Sequence, residues 1–280
     1  MTELTSLENY LFLDGSYYCA VLDLLGTKDF VKKDYEKARD MYLQFCILAK
    51  DYLQSTKELG AELKCLEIDP NDFYYSIFSD SLLLTSNDMP FLIQEIRYFM
   101  RHFMLIEKGY YIRGGLSHGC HYENVSRQNH FLISQAHIKA VELEQTASWP
   151  RCIIDNDILK TGEFNYLADG SIFQCEDNLW SINPFLGIDP EELRLILGKL
   201  KSRCVEFQES SKIYEKYMFL IQLMHEWQQS CSFLKTHITD KNEFQKQIRK
   251  FIFLECQESA NGFYPQIEKS FEENMKSLLG

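Results

Sequence analysis

Tyr18-Cys19-Ala20-Val21-Leu22-Asp23-Leu24-Leu25-Gly26 is an apolar run interrupted by one acid. From Ser16 to Leu24 it reads as a strand, and its nearly continuous apolar character predicts a central place in a sheet. Asp23 puts a charge near the tip of that strand. A second acid repeats the situation: Asp80 sits between apolar runs in Ile77-Phe78-Ser79-Asp80-Ser81-Leu82-Leu83-Leu84. A lone buried carboxylate is costly unless something positive meets it. Two of them, on strands that can lie side by side, suggest a divalent metal site. The competing reading of each is a turn-capping acid at a strand end.

Outward from these segments the chain alternates strand and helix patterns. Asp34 to about Leu59 reads as a long helix, with Ala38, Met41, Tyr42, Phe45 and Cys46 at helical spacing. Phe73–Ile77 and Leu82–Thr85 read as short strands around a tight hairpin at Phe78-Ser79-Asp80-Ser81. Pro90 opens a second helix in its first turn, ending near Glu107, with Gly109 suited to its C-terminal cap. Tyr110 to Cys120 reads as a strand carrying Arg113-Gly114-Gly115, and Asn129 to Ile133 as a shorter one. Ser134 is placed to cap a helix through about Gln145. The turn Trp149-Pro150-Arg151 leads into the strand Cys152-Ile153-Ile154, and strand-like pieces follow near Phe173 and Trp180.

From Asp189 the pattern becomes helical, with Glu191 and Glu192 suited to a first turn. Helices are expected over 189–208 and 211–229, and the remainder through Leu279 also reads as helical. Strand, helix, hairpin, helix, strand is an α+β order. In a ferredoxin-like arrangement the first strand lies beside the hairpin, which brings Asp23 close to Asp80. A boundary near residue 185 divides a domain over 1–185 from a helical extension over 186–280, packed on the core or on a partner subunit.

At 280 residues, 45% apolar and 14% aromatic, the chain has ample material for a core. A net charge of −12 argues against a nucleic-acid backbone or an anionic membrane as partner. It does not argue against a nucleotide, whose phosphates can enter an acidic site through bridging metal ions. Nine cysteines without a paired C-x-x-C suit free thiols in a reducing cytosol. Met1-Thr2-Glu3-Leu4 carries no signal-peptide pattern, and no apolar run approaches the roughly 18 residues of a membrane span. A soluble cytoplasmic protein is expected.

Together these pieces resemble a known family. Val21-Leu22-Asp23-Leu24-Leu25-Gly26 resembles the first metal motif of class III nucleotide cyclases, and Ser79-Asp80-Ser81 the second. Ile112-Arg113-Gly114-Gly115-Leu116-Ser117-His118-Gly119 is similar to the core strand that follows. Ala136-His137-Ile138-Lys139-Ala140-Val141-Glu142-Leu143-Glu144 resembles the helix ending in a Leu-Glu pair, and Trp149-Pro150-Arg151 follows in the same order. The resemblance covers about residues 16 to 185. The nearest likeness is to the bacterial pyrimidine cyclases of Pycsar anti-phage defence.

That resemblance implies a ferredoxin-like cyclase homology domain and conversion of UTP or CTP to a 3′,5′-cyclic monophosphate with release of pyrophosphate. UTP is preferred because more of the resembling family are uridylate cyclases. It implies a head-to-tail homodimer with active sites at the subunit interface, and a separate effector protein activated by the cyclic product during phage infection. Asp23 and Asp80, with the backbone carbonyl of Leu24, would hold two ions, Mg²⁺ or Mn²⁺ by the hardness of their oxygens. Gly26 would let the backbone approach phosphates without a side chain in the way. Arg113 would either grip phosphate in bidentate fashion or pair with a nearby acid. Lys139 and Arg151 are weaker phosphate candidates, better suited to a solvated helix face or an ion pair.

The chain departs from ordinary adenylate and guanylate cyclases in its helix. Where those carry an Asn and an Arg that assist the transition state, Ile138 and Glu142 stand here, and Ser134-Gln135 replaces a usual Gly-Pro. This implies either the pyrimidine branch or a weakened protein. The rivals are a non-catalytic cyclase-fold module that binds a nucleotide, and a cyclic dinucleotide synthase, which the lack of a Gly-Gly-acid-acid run at the hairpin disfavours. His118, Cys120, His121 and Glu123 lack the paired cysteines of a zinc site. Cys19, Cys46 and Cys152 read as packing residues. Tyr74, Tyr75 and Phe78 read as core, though one facing the base would narrow a pocket toward a pyrimidine. Met218, Phe219, Leu220, Leu223 and Trp227 read as a helix face packing on the core or on a partner.

Overall fold

The first strand, β1 (Leu11–Leu24), lies in the middle of the sheet. The structure is a computed structural model that describes residues 11–25, 27, 31–32, 34–62, 73–78, 80–105, 111–125, 129–160, 171–175, 177–186, 188 and 190–237, with side chains described except at 11, 52–62, 190, 211 and 226–237. Gly26, Ser79, Gly109, Asp189, the Trp227 side chain and the helical reading beyond 237 lie outside the described residues.

Helix α1 (Tyr35–Glu62) leads to the hairpin of β2 (Phe73–Phe78) and β3 (Ser81–Ser86). Next come α2 (Met89–Leu105), β4 (Ile112–Val125), β5 (His130–Ser134), α3 (Gln135–Thr146) and β6 (Cys152–Ile154). The chain continues through α4 (Asn156–Lys160), β7 (Ile172–Gln174), β8 (Trp180–Ile182), α5 (Pro190–Glu206) and α6 (Ser211–His237). The strand order is β2-β3-β1-β4-β6-β8-β7, with β5 paired to β4. The first four strands are antiparallel throughout, and with α1 and α2 they form the β-α-β-β-α-β unit of the ferredoxin-like arrangement. β6 then adds parallel to β4. The fold class is α+β, with eight strands and six helices among the described residues.

Alternation along β1 sends its residues to two different layers. Ala20, Leu22 and Leu24 join the main core with Phe45 of α1, Phe99 and Phe103 of α2, and apolar residues of α5 and α6. Phe45 and Phe103 pack at 5.3 Å between centroids, and each fully buried ring of this kind contributes about 2–3 kcal/mol. Cys19 and Val21 face the other way, into a small cluster with Leu83, Ala136 and Ala140 under α3. Asp23 is on that second, thinly covered face. The helices begin where capping acids and hydroxyls allow: Asp34 accepts from Lys37 N–H at 3.1 Å, Asp88 from Phe91 N–H at 3.0 Å and Ser134 from His137 N–H at 2.9 Å.

Two strands run further than their apolar patterns indicate. β1 starts at Leu11 and β4 continues to Val125, paired in register from Leu11↔Val125 to Leu24↔Ile112. Asp14-Gly15 and His121-Tyr122-Glu123 look like strand ends in sequence. Backbone pairing carries both strands through, and the polar groups at this end of β4 find partners: Glu123 accepts from Ser76 Oγ of β2 at 3.0 Å and pairs with His121 at 3.1 Å and with His130 of β5 at 2.8 Å. Among the described residues no helix is long and apolar enough to cross a membrane.

The helical region shares the core. Leu193, Ile196, Leu197 and Leu200 of α5, and Leu220, Ile221, Leu223 and Met224 of α6, belong to the same buried cluster as β1. Phe219 stacks on Trp149 at 5.0 Å and 15°, and Tyr217 meets Tyr111 edge-on at 5.0 Å.

Candidate active site

The register of the central strands decides what Asp23 meets. Asp23 lies opposite Ser81 on β3 and opposite Arg113 on β4. Residues directly opposite on antiparallel strands share a face, so all three side chains converge. Ser81 Oγ donates to Asp23 Oδ1 at 3.2 Å, and Arg113 Nη2 donates to Oδ2 at 3.2 Å.

Asp80 is brought in by the hairpin turn. Its backbone carbonyl accepts Leu24 N–H at 3.1 Å, tying the turn to the end of β1. Its carboxylate accepts Thr27 Oγ1–H at 2.5 Å, and the same hydroxyl lies 3.4 Å from the Leu24 carbonyl. Thr27 therefore bridges the two acid-bearing segments. Burial raises the pKa of Asp23 and the charge of Asp80 raises it further, against the opposing pull of Arg113 and Ser81. The two carboxylates thus repel one another in a partly dry site.

The donor set fits a hard divalent cation. It offers two carboxylates and the Leu24 carbonyl, all oxygen, and the mutual repulsion of the acids is the kind a cation between them relieves. Among the described residues no group of three or more His, Cys, Asp or Glu is arranged to hold a metal, so any ion here would complete its shell with carbonyl, water or substrate oxygens.

Arg113 is shared. Its Nε–H and Nη2 both donate to Asp23 Oδ2, at 3.4 and 3.2 Å, and its Nε also lies at ion-pair distance, 2.7 Å, from Glu144 Oε1 on α3. The ion-pair alternative for Arg113 is the arrangement seen here. Gly115 explains how α3 comes so close, and Gly114 how tightly β1 lies against β4. A Cβ on Gly115 would stand 2.2 Å from the Ala140 carbonyl and 2.8 Å from Glu144 N, and one on Gly114 would meet the Val21 carbonyl at 2.6 Å. The pairing is regular across both, Gly114↔Leu22 and Gly115↔Val21, so the glycines serve close packing rather than a bulge.

A cavity of about 320 Å³ opens beside the acids. Ser81 lines it and also bonds Asp23, so cavity and carboxylate pair share a wall. Phe78, Val21, Leu132 and Val141 give it apolar sides, while His130 and His137 add polar edges. His130 stacks on Phe78 at 4.8 Å and 22°. Of Tyr74, Tyr75 and Phe78 at the hairpin, Phe78 lies in this wall.

Other candidates are placed elsewhere. Arg151, 2% exposed, pairs with Asp177 and lies 5.2 Å over the Trp149 ring. Lys139 pairs with Glu142 at 3.7 Å on the solvent side of α3. His118 and Cys120 are exposed on the face opposite His121 and Glu123. Cys19 Sγ lies 3.2 Å from His121 Nδ1, next to Glu123, which has the outline of a nucleophile and its base. Burial pushes the Cys19 thiol up to about 12, so it packs instead of reacting.

Thr27, Ser81 and Glu144 are parts of the site that the sequence reading did not single out. Glu144 had one signal, its place in the Leu-Glu pair closing α3.

No family model matches the sequence, and no curated protein matches it. Solved structures do. One is the catalytic core of a rhodopsin-guanylyl cyclase with converted specificity in complex with ATPαS, at 12% identity and a TM-score of 0.41, over 55% of this chain and 84% of that one. Two are structures of a bacterial light-regulated adenylyl cyclase, at 13% and 11% identity and TM-scores of 0.39 and 0.40. They cover 71% and 66% of this chain, which spans 60% and 56% of theirs, less than two thirds in each case. All three are nucleotide cyclases. Likeness at this level assigns neither substrate nor chemistry.

Proposed function

We propose that this chain is a nucleotide cyclase that converts UTP to 3′,5′-cyclic UMP and pyrophosphate. One observation carries the reading: Asp23 and Asp80, two repelling carboxylates at adjoining strand ends, share a wall with a cavity of nucleobase size. The order of motifs along the chain supports it.

Two divalent ions, Mn²⁺ or Mg²⁺, would supply Lewis-acid activation of the ribose 3′-hydroxyl and neutralise the triphosphate. Asp23, Asp80 and the Leu24 carbonyl would hold them. Thr27 and Ser81 orient the two carboxylates. Arg113 presents a planar guanidinium beside them, suited to phosphate oxygens once it leaves Asp23. Phe78 offers a face for stacking a base, and His130 and His137 offer edges for hydrogen bonds. Phe78 in the cavity wall narrows it, which supports a pyrimidine over a purine. Cyclic CMP from CTP is the alternative product. By the same reading the protein acts in the cytoplasm as a head-to-tail homodimer, and its product signals to a separate effector in anti-phage defence.

A second reading has its own observation. Ile138 is 61% exposed on α3 and Glu142 is also exposed, where ordinary cyclases carry their helper Asn and Arg. A nucleotide-binding module without turnover would look like this. One experiment separates the two: incubate the protein with each of the four NTPs and Mn²⁺ and resolve the products by chromatography. Cyclic UMP as the main product supports the uridylate cyclase, and cyclic CMP selects the alternative. Nucleotide binding without any cyclic product selects the module.

A further inference from the structure

Arg113 and a cation compete for the same oxygen. Arg113 Nη2 stands 3.2 Å from Asp23 Oδ2, in the place a positive ion on Asp23 would claim. An arginine cannot give up its charge, so a cation on the same oxygen would repel it. A long side chain released this way would turn to solvent unless a second anion kept it.

Glu144 is that second anion. Its Oε1 is 2.7 Å from Arg113 Nε, nearer than any Asp23 oxygen, and its side chain is 9% exposed. Helix α3 fixes it there, because Gly115 lets the Ala140–Glu144 backbone rest directly on β4. Arg113 directs both its Nε–H and its Nη2 at Asp23 Oδ2, while Glu144 stands at ion-pair distance from the root of the same guanidinium, ready to receive it.

We propose that Glu144 is a positioning residue that draws Arg113 off Asp23 when a divalent cation binds and holds it beside the carboxylate pair. The inference rests on the cation reading of Asp23 and Asp80. Without the Glu144 charge, Arg113 falls back on Asp23 alone and the cation has a stronger competitor.

The test measures Mn²⁺ binding to the nucleotide-free protein by electron paramagnetic resonance of the free ion. Glu144→Gln is expected to weaken binding about fivefold. In an Arg113→Ala background the same substitution is expected to change affinity by less than about twofold, because the competitor is gone. Equal losses in both backgrounds would mean that Glu144 acts directly on the ion, and would overturn the proposal. So would unchanged binding in Glu144→Gln. A wild-type protein that binds no Mn²⁺ overturns the cation reading as well, which distinguishes the two failures. The wild-type chain gives an independent measurement: on saturation with Mg²⁺ the Arg113 Nε–H should remain protected from exchange with water, and exchange at the solvent rate would overturn the proposal.

Discussion

Arg113 faces Asp23 across the β1–β4 ladder, with its Nη2 3.2 Å from the Asp23 carboxylate and its Nε 2.7 Å from Glu144. One arginine therefore connects a central strand to α3, the helix that covers that face among the described residues. The acid it touches carries a second acid, Asp80, as a neighbour.

Removing either acid should separate chemistry from folding. Asp23→Asn and Asp80→Asn keep the side-chain shape and delete one of two repelling charges. Cyclic nucleotide formation with Mn²⁺ should fall at least about a hundredfold in each, while the melting temperature stays within a few degrees. Full activity in either variant rules out the assigned role of that acid.

The glycines of β4 should be far less tolerant than a glycine on a helix surface. Gly115→Ala forces a Cβ against the Ala140 carbonyl at 2.2 Å and should destabilise by about 1–3 kcal/mol. Gly198 on α5 has nothing within 4 Å of an added Cβ, so Gly198→Ala should stabilise by about 0.5–1 kcal/mol. Urea titrations of the two variants should move in opposite directions.

Glu123 should contribute to acid unfolding. Its burial raises its pKa, but hydrogen bonds from His121, Ser76 and His130 outweigh burial and hold it below the ordinary 4.5. An acid with a depressed folded pKa adds stability that is complete above its unfolded value and is lost as pH falls through the folded one. Thermal melts below pH 4.5 should therefore fall more steeply for the wild type than for Glu123→Gln. Parallel curves in that window would refute this assignment.

Trp149 and Phe219 should be energetically coupled. Their rings stack at 5.0 Å and join the turn after α3 to α6. A double-mutant cycle with Trp149→Ala and Phe219→Ala should give about 0.5–1.5 kcal/mol. Strict additivity would mean that the stack contributes nothing to docking α6.

Phe78→Ala should weaken nucleotide binding about tenfold if its ring stacks a base in the cavity it lines. Binding of the triphosphate without its base should change little. Equal losses for nucleotide and inorganic triphosphate would place the base elsewhere.

Local order was legible in the residues alone. The apolar run at Tyr18–Leu24 marked a central strand, Ser134 marked a helix start, and the Phe78–Ser81 hairpin put Asp80 at a turn; all three stand in the structure. These features depend on periodicity and capping, which act over a few residues. The tertiary structure alone decided the partners. Asp23 meets Arg113 from 90 positions away, and Ser76 meets Glu123 from 47. Strand register sets the first contact, and no short stretch of sequence encodes register between distant strands. The same pairing carried β1 and β4 through Asp14-Gly15 and His121-Tyr122-Glu123, which by pattern look like ends. Only the approach of α3 over Gly115 placed Glu144 on Arg113, and so turned a pair of acids into a site with a movable positive charge.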